Sequence, residues 1–267
     1  MHVSFLDPYQ DGRSLIHQLD ARVKLVLVVA FILTTALTPV AAWPVYALLA
    51  ALALAAELLS ELSWGFYLKR ALLAVPFVLA ALPVLVTVPG EALLPLPFGL
   101  AVTGPGLARF LSVALKSWIS VQMAILLAST TPFPEILMAM RALRVPRLLV
   151  AIIGLMWRYL FVMVDEAGRL MRARQARSGH AARAGANAGR RPGGSLFWRA
   201  RVTGGMAGSL FLRSLERSDR IYNAMLSRGY DGETRTMPHP AISPLGWVTL
   251  LVGLGVLAAL LAVGFLL

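Results

Sequence analysis

Five apolar stretches, each close to the ~20 residues that cross a bilayer as a helix, dominate this chain. They occupy residues 23–40, 43–59, 71–88, 107–129 and 244–267. A soluble chain of this length would carry close to a quarter charged residues, whereas here only 14% are charged and 58% are hydrophobic. The sequence therefore predicts an all-α, polytopic membrane protein with about five transmembrane helices.

The basic residues orient these helices, because Lys and Arg concentrate on the cytoplasmic side of membrane proteins. Arg22 and Lys24 stand at the start of the first stretch, whereas the loops 39–43 and 89–106 contain no basic residue. This pattern predicts a multi-pass protein of the cell (inner) membrane whose N-terminal segment is cytoplasmic.

A sixth apolar stretch, 148–164, is interpreted as cytoplasmic rather than transmembrane. If it crossed, residues 166–240, with 14 arginines and 5 acidic residues, would lie outside. That net charge of +9 opposes the positive-inside rule, and Arg158 would stand at great cost in the middle of the hydrocarbon. We therefore predict an amphipathic or membrane-skimming helix here, so that the last helix leaves the C-terminus outside.

The predicted organisation has four parts. They are a cytoplasmic N-terminal segment (1–22), four transmembrane helices (23–130), a cytoplasmic or membrane-skimming module of long helices (131–243) and the last transmembrane helix (244–267).

The module is expected to contain three helices, 132–143, 148–177 and 196–228, with a Gly/Ala-rich connector over 179–194. Pro134 and Glu135 suit the first turn of the first of these helices. Opposite charges at helical spacing are expected to support the two long helices. These pairs are Asp165 or Glu166 with Arg169, and Glu216 with Arg220.

Both long helices end alike, with an arginine between small residues and then a glycine. The two ends are Ala176-Arg177-Ser178-Gly179 and Ser227-Arg228-Gly229. One interpretation is purely structural, because a cation complements the C-terminal end of a helix and glycine caps it in a left-handed conformation. Two such ends on two long helices of one basic module favour a functional role.

On these residues the chain resembles the transmembrane T component of energy-coupling-factor (ECF) transporters, particularly the cobalt-type proteins, over nearly its whole length. The similar runs are 19–25 (LDARVKL), 157–160 (WRYL) with Asp165-Glu166, 172–177 (RARQAR), 213–217 (RSLER) and 222–230 (YNAMLSRGY). In that family, two Ala-Arg-Gly-like triplets end two coupling helices that cross in an X, and each arginine docks into a groove of one ATPase subunit. The triplets here, 176–178 and 227–229, each depart at one outer position and keep the arginine.

The resemblance implies a non-catalytic scaffold subunit of an ATP-driven importer. Two cytoplasmic ATP-binding subunits would use ATP and magnesium to move the coupling helices, which would move a substrate-binding membrane S component. The implied substrate is cobalt(II), with nickel or a vitamin as alternatives. The chain has no Gly-x-x-x-x-Gly-Lys-Ser/Thr loop, so we expect it to bind no nucleotide or other cofactor itself.

The resemblance also implies roles for particular residues. ATPase coupling falls to Arg177 and Arg228 with their neighbours Ala176, Ser178, Ser227 and Gly229. Support of the helix module falls to Arg158, Asp165, Glu166, Arg213, Glu216 and Arg220.

Two features of the apolar stretches have two interpretations each. Lys116, inside the fourth stretch, either extends to the outer interface or faces the S component. The face of 148–164 that carries Met156, Trp157 and Met163 either contacts lipid or is the surface on which the S component slides, since methionine and aromatic surfaces suit a partner that must re-pack.

Two other function classes stay open. An intramembrane enzyme would need catalytic groups at matched depth, but no histidine lies in the five stretches and Glu57 is their one acidic residue. A basic membrane protein that binds anionic lipid or nucleic acid would not require the paired helix ends, and no nucleic-acid partner is expected. With scattered histidines and no cysteine, no metal site is predicted in this chain.

Overall fold

The computed structural model describes residues 8–95, 101–179, 195–232 and 241–266. The structure is about 81% helical, which confirms the predicted all-α class. The helices are α1 (Leu15–Gln18), α2 (Ala21–Leu37), α3 (Trp43–Leu59), α4 (Trp64–Ala71), a 3₁₀ turn (Leu72–Ala74), α5 (Val75–Ala80), α6 (Val84–Thr87), α7 (Gly104–Thr130), α8 (Phe133–Ala142), α9 (Arg147–Gly179), α10 (Leu196–Leu226) and α11 (Pro244–Leu266). Two short strands, β1 (Ala92–Pro95) and β2 (Ala101–Thr103), pair antiparallel and were not predicted.

Four segments of the described chain are long and apolar enough to cross a membrane, namely Gly65–Thr87, α7, Arg147–Arg177 and α11. The helices α2 and α3 are shorter, with 17 residues each. The protein is thus a multi-pass membrane protein. Because α9 meets the length and composition of a span, the placement of 148–164 on the cytoplasmic side stays a prediction.

The third predicted stretch, 71–88, is not one continuous helix. It is divided among the end of α4, the 3₁₀ turn, α5 and α6, with Pro76 in the first turn of α5 and Pro83 directly before α6. Proline lacks the amide N–H and its ring clashes with the preceding turn. The two prolines therefore account for the interruption.

The contacts divide the chain into two compact units. One contains residues 1–143 and 239–267, and the other is Arg144–Pro238. The first unit, called the membrane unit below, includes α8, which begins with a proline in its first turn and Glu135 beside it, as predicted. The second unit, called the helical pair, contains α9 and α10. The predicted connector 179–194 lies outside the described residues, apart from Gly179 in α9.

The core of the membrane unit forms where α2, α3, α7 and α11 pack together. Its buried side chains include Phe31, Val45, Leu49, Leu126 and Leu257. Large apolar side chains on the outer faces are exposed instead, as on α11. Apolar side chains on outer faces are expected in lipid-facing helices, because hydrocarbon rather than water covers them.

Two lysines tie α2 and α7 together. Lys24 Nζ on α2 donates to Thr130 O, at the last residue of α7, over 3.0 Å. Lys116 Nζ on α7 donates to Ala36 O at 3.0 Å and to Thr38 O at 2.6 Å, at the C-terminal end of α2. The last carbonyls of a helix have no intrahelical donors and carry partial negative charge. Lys24 therefore donates to a carbonyl at the C-terminal end of α7, and Lys116 donates to carbonyls at the C-terminal end of α2.

Candidate functional site

The first long helix of the pair, α9, is apolar up to residue 164 and charged beyond it. It begins directly after Pro146 and runs for 33 residues to Gly179. The glycine cap predicted at Gly179 is therefore wrong, because this residue still belongs to the helix. The residues before it, Gln175 to Arg177, are strong helix formers, and a single glycine costs only about 1 kcal/mol in a helix, so nothing local forces the helix to stop earlier.

The second long helix, α10, ends as predicted. Gly229 has a φ of +79°, which is the left-handed conformation. The Gly229 N–H donates to Leu226 O at 2.9 Å and the Tyr230 N–H donates to Met225 O at 3.0 Å. These two hydrogen bonds form a Schellman motif, which satisfies the last carbonyls of the helix and fixes the backbone around Arg228.

The two arginines at these ends, Arg177 and Arg228, are both exposed. Neither forms an ion pair within the described parts of the chain. The hydroxyl of Ser227 donates back to Ala224 O at 3.0 Å and so belongs to the helix end. Both guanidinium groups are available to an external acceptor.

The residues that flank the two arginines differ in backbone conformation and surroundings. Ala176 is exposed on the last turns of α9, and the backbone of Ser178 is helical. A side chain at Gly229 would meet no atom within 4 Å. Around Gly229 the surface is open, so the choice of glycine there follows from its backbone conformation and not from crowding.

Side-chain contacts fix the relative direction of α9 and α10. Arg213 Nη1 on α10 donates to Glu166 Oε1 on α9 at 3.0 Å, and Arg174 Nη1 donates to Thr203 Oγ1 at 3.0 Å. As the residue number rises along α9, the number of its partner on α10 falls. The two helices are therefore antiparallel.

This direction places the two arginine-bearing ends far apart. Arg177 lies one turn beyond Arg174, whose partner is Thr203. Arg228 lies at the other end of α10, and at 1.5 Å per residue the helix from Thr203 to this end spans roughly 35 Å. The helical pair thus presents one exposed arginine at each of its opposite ends.

Glu166 is the centre of the charged contacts between the helices. It accepts from Arg169 on its own helix and from Arg213 across the pair. Its side chain is only 14% exposed, whereas those of Arg169 and Arg213 are 60% and 59% exposed. A largely covered carboxylate between two guanidinium groups is a brace that holds the helices in register.

The other predicted charge pairs do not form in the described residues. Arg169 pairs with Glu166 rather than with Asp165, which is exposed, and Glu216 and Arg220 make no ion pair. Exposed pairs at helical spacing gain little in water against the entropy of ordering two long side chains. Arg158 is also exposed, in the middle of the apolar part of α9.

The apolar half of α9 has a broad exposed face. Trp157 packs edge-on against Phe161, with 5.1 Å between the ring centroids. Met156 is 62% exposed, whereas Met163 lines a groove shared with α10. Exposed apolar surface of this kind marks a contact with membrane or protein.

The sequence interpretation missed this groove between α9 and α10. Arg217, which was not singled out, lines the groove, and its Nη1 is buried with no hydrogen-bond partner in the described structure. The signal in the sequence is the helical spacing of Ser214, Arg217, Ser218 and Ile221, which puts one arginine among small and apolar residues on one face of α10.

A protein-family model and several known proteins match this chain. The model of the family "CbiQ: Cobalt transport protein" matches residues 12–240. The cobalt transport protein CbiQ of Rhodobacter capsulatus is 33% identical over 172 residues, 64% of each chain, so the match spans just under two thirds of that relative. The cobalt transport protein CbiQ of Salmonella typhimurium is 27% identical over 137 residues, 51% of this chain and 55% of the relative.

One of the similar proteins carries a name other than CbiQ. The energy-coupling factor transporter transmembrane protein EcfT of Bacillus selenitireducens is 28% identical over 239 residues, 85% of this chain and 84% of the relative. The family match covers most of the chain, including both arginine-bearing helix ends. The chain therefore belongs to the CbiQ cobalt transport protein family and is an ECF-transporter T component of the CbiQ type.

Proposed function

We propose that this chain is the scaffold subunit of an ECF-type importer, in which α9 and α10 couple ATP hydrolysis by two cytoplasmic ATP-binding subunits to movement of a membrane S component. The observation that carries the proposal is the pair of exposed arginines, Arg177 and Arg228, at opposite ends of one braced helical pair. Two ends at this separation suit two separate docking sites, one on each ATPase subunit.

The guanidinium group suits such docking. It presents five donors in a rigid fork and stays charged at any physiological pH. A groove lined with carboxylate or carbonyl oxygens would hold it by charge-assisted hydrogen bonds, which are about twice as strong as neutral ones. ATP and magnesium would bind to the partner subunits, and this chain would supply no catalytic group.

The brace at Glu166 explains how force at one end would reach the other. A push on Arg177 moves α9, and the contacts from Glu166 to Arg213 and from Arg174 to Thr203 transfer that movement to α10. A pair linked at two points moves more nearly as one body than two unlinked helices. The ATPases would therefore act on the pair rather than on each helix alone.

The S component would contact the apolar face of α9 that carries Met156 and Trp157, where flexible and aromatic side chains can re-pack against a moving partner. Met163, also expected on this face, lines the groove with α10 instead. Lys116 is a weaker candidate for this contact, because its ammonium group is engaged with the end of α2. In this arrangement the N-terminus and the helical pair are cytoplasmic, and the C-terminus lies outside.

Cobalt(II) is the proposed substrate, because the family description and two of the similar proteins carry cobalt transport in their names. Nickel and a vitamin are the alternatives, since the S component would select the ligand. Uptake of labelled cobalt and of labelled nickel into vesicles that contain the assembled transporter distinguishes cobalt from nickel as the substrate.

Co-purification tests the proposal. The tagged chain, expressed with its candidate ATP-binding subunits and S component, is expected to retain two ATPase chains in moderate salt, because the docking is specific. Loss of every protein partner in moderate salt would contradict the proposal. Recovery of anionic lipid or nucleic acid alone in that experiment would instead support a nonspecific basic membrane protein.

A further inference from the structure

A groove of about 640 Å³ runs between α9 and α10, within the helical pair. This volume lies in the range of small-molecule sites, about 300–1,000 Å³. Most of the wall is apolar or aromatic. The side chains that form this part include Leu155, Tyr159 and Met163 on α9, and Ile221, Tyr222 and Met225 on α10.

Among the described residues that line the groove, one is a cation. Arg217 lines the groove, and its Nη1 is buried without a hydrogen-bond acceptor among the described residues. Ser214, which also lines the groove, donates its hydroxyl to Phe211 O at 2.7 Å. A buried N–H of a charged group without an acceptor costs free energy, so the site is completed by an oxygen that the described chain does not supply.

The acidic residue that the structure describes in the groove does not fill this role. Asp219 lines the same groove, is exposed, and makes no ion pair with Arg217 in the described structure. Its charge also disfavours a ligand with several negative charges. A ligand with one negative charge and a long apolar part matches the wall on both counts.

We propose that the groove binds one membrane phospholipid, with the single negative charge of its phosphate on Arg217 and one acyl chain along the apolar wall. A guanidinium fork matches a phosphate in geometry as well as in charge. On α9, Ile152, Met156 and Leu160 are exposed apolar residues, so the α9 side of the wall continues into a surface suited to the membrane. A phospholipid is present wherever this chain is, and needs no other protein to deliver it.

This inference does not depend on the proposed coupling function. Lipid binding is measured on the full chain in vesicles without the ATPase subunits or the S component. The probe is a phosphatidylglycerol with a photoactivatable group on one acyl chain, added in trace amount to phosphatidylcholine vesicles. Mass spectrometry of the irradiated chain then identifies the labelled peptides.

The expected label lies on the groove-lining parts of α9 and α10. Loss of a charge-assisted hydrogen bond in Arg217→Gln is expected to lower this labelling about tenfold. Arg201→Gln is the matched control, because Arg201 is an exposed arginine on the same helix that does not line the groove, and it should label like the unaltered chain. Met225→Trp narrows the groove but keeps Arg217, and is expected to lower labelling as well.

Three results would overturn the proposal. The first is equal labelling of Arg217→Gln and the unaltered chain, with both shown to be folded by circular dichroism. The second is loss of the label on addition of inorganic phosphate alone, which would mean that the site binds an anion without its tail. The third is loss of the label whenever the partner subunits are added, which would identify the groove as a protein-docking surface.

Discussion

Arg213 on α10 donates a hydrogen bond to Glu166 on α9, with 3.0 Å between Nη1 and Oε1. Arg169 binds the same carboxylate from its own helix. A single acidic side chain therefore joins two basic helices that would otherwise repel each other, since the segment 166–240 carries a net charge of +9. The two helices can act as a pair because this carboxylate lies between them.

Charge reversal at this contact should weaken coupling. Glu166→Arg places three guanidinium groups together, and we expect lower transport per ATP hydrolysed, with a smaller effect on assembly with the ATPases. The double variant Glu166→Arg with Arg213→Glu restores an opposite pair across the helices and should recover part of the transport. If the double variant is no better than the single one, the brace between the helices is not what transmits movement.

The lysine contacts in the membrane unit predict a change in stability. Lys24→Met and Lys116→Met each remove the donor for carbonyls at the end of a neighbouring helix, and each should lower the stability of the detergent-solubilised protein by about 1–3 kcal/mol. Lys69→Met serves as the control, because Lys69 is an exposed residue of α4. Substitution of a surface residue usually changes stability by no more than about 0.5 kcal/mol. Thermal unfolding followed by circular dichroism measures this difference, and equal unfolding temperatures for all three variants would contradict it.

The left-handed backbone of Gly229 predicts that a side chain at this position destabilises the end of α10. Gly229→Ala puts a Cβ on a residue with a φ of +79°, which costs about 1–2 kcal/mol although no neighbour obstructs it. The end of α10 should fray, and the salt concentration at which an ATPase subunit dissociates from the full complex should fall.

The control for this change lies on the same helix. Gly204 is helical, and a Cβ there would also meet nothing within 4 Å, so Gly204→Ala should stabilise α10 by up to about 1 kcal/mol. Equal loss of ATPase retention in the Gly204 and Gly229 variants would show that the left-handed cap has no part in docking.

Patterns that repeat along the chain predicted most of the fold. The lengths of the apolar stretches and the charged helical spacing gave the helices α2, α3, α7, α9, α10 and α11, and the glycine after Arg228 gave the end of α10. The stretch 71–88 was predicted as one helix, because hydropathy averages over prolines whose effect is local to the backbone. Gly179 was predicted as a cap because glycine is common just after helix ends, whereas its own backbone is still helical.

Contacts between distant residues were beyond sequence reasoning. Lys116 was assigned either to the outer interface or to a partner, whereas its ammonium group reaches the end of α2. Which of several carboxylates Arg213 meets depends on the direction and register of two helices separated by residues 180–194. In the sequence, Arg217 is one of many arginines in a basic segment, and only the buried, unpaired Nη1 atom in the described structure distinguishes it.

In the proposed mechanism, Arg177 and Arg228 carry force from two ATPases to the membrane. The most direct measurement is ATP-driven cobalt uptake into vesicles by the assembled transporter with Arg177→Ala, Arg228→Ala and both together, beside Arg201→Ala as a control for loss of one exposed arginine. We expect partial loss in each single variant, at least about tenfold loss in the double variant, as for the loss of charge-assisted contacts, and normal uptake in the control. A double variant that assembles with the ATPases at the normal level and transports cobalt at an undiminished rate would contradict the claim.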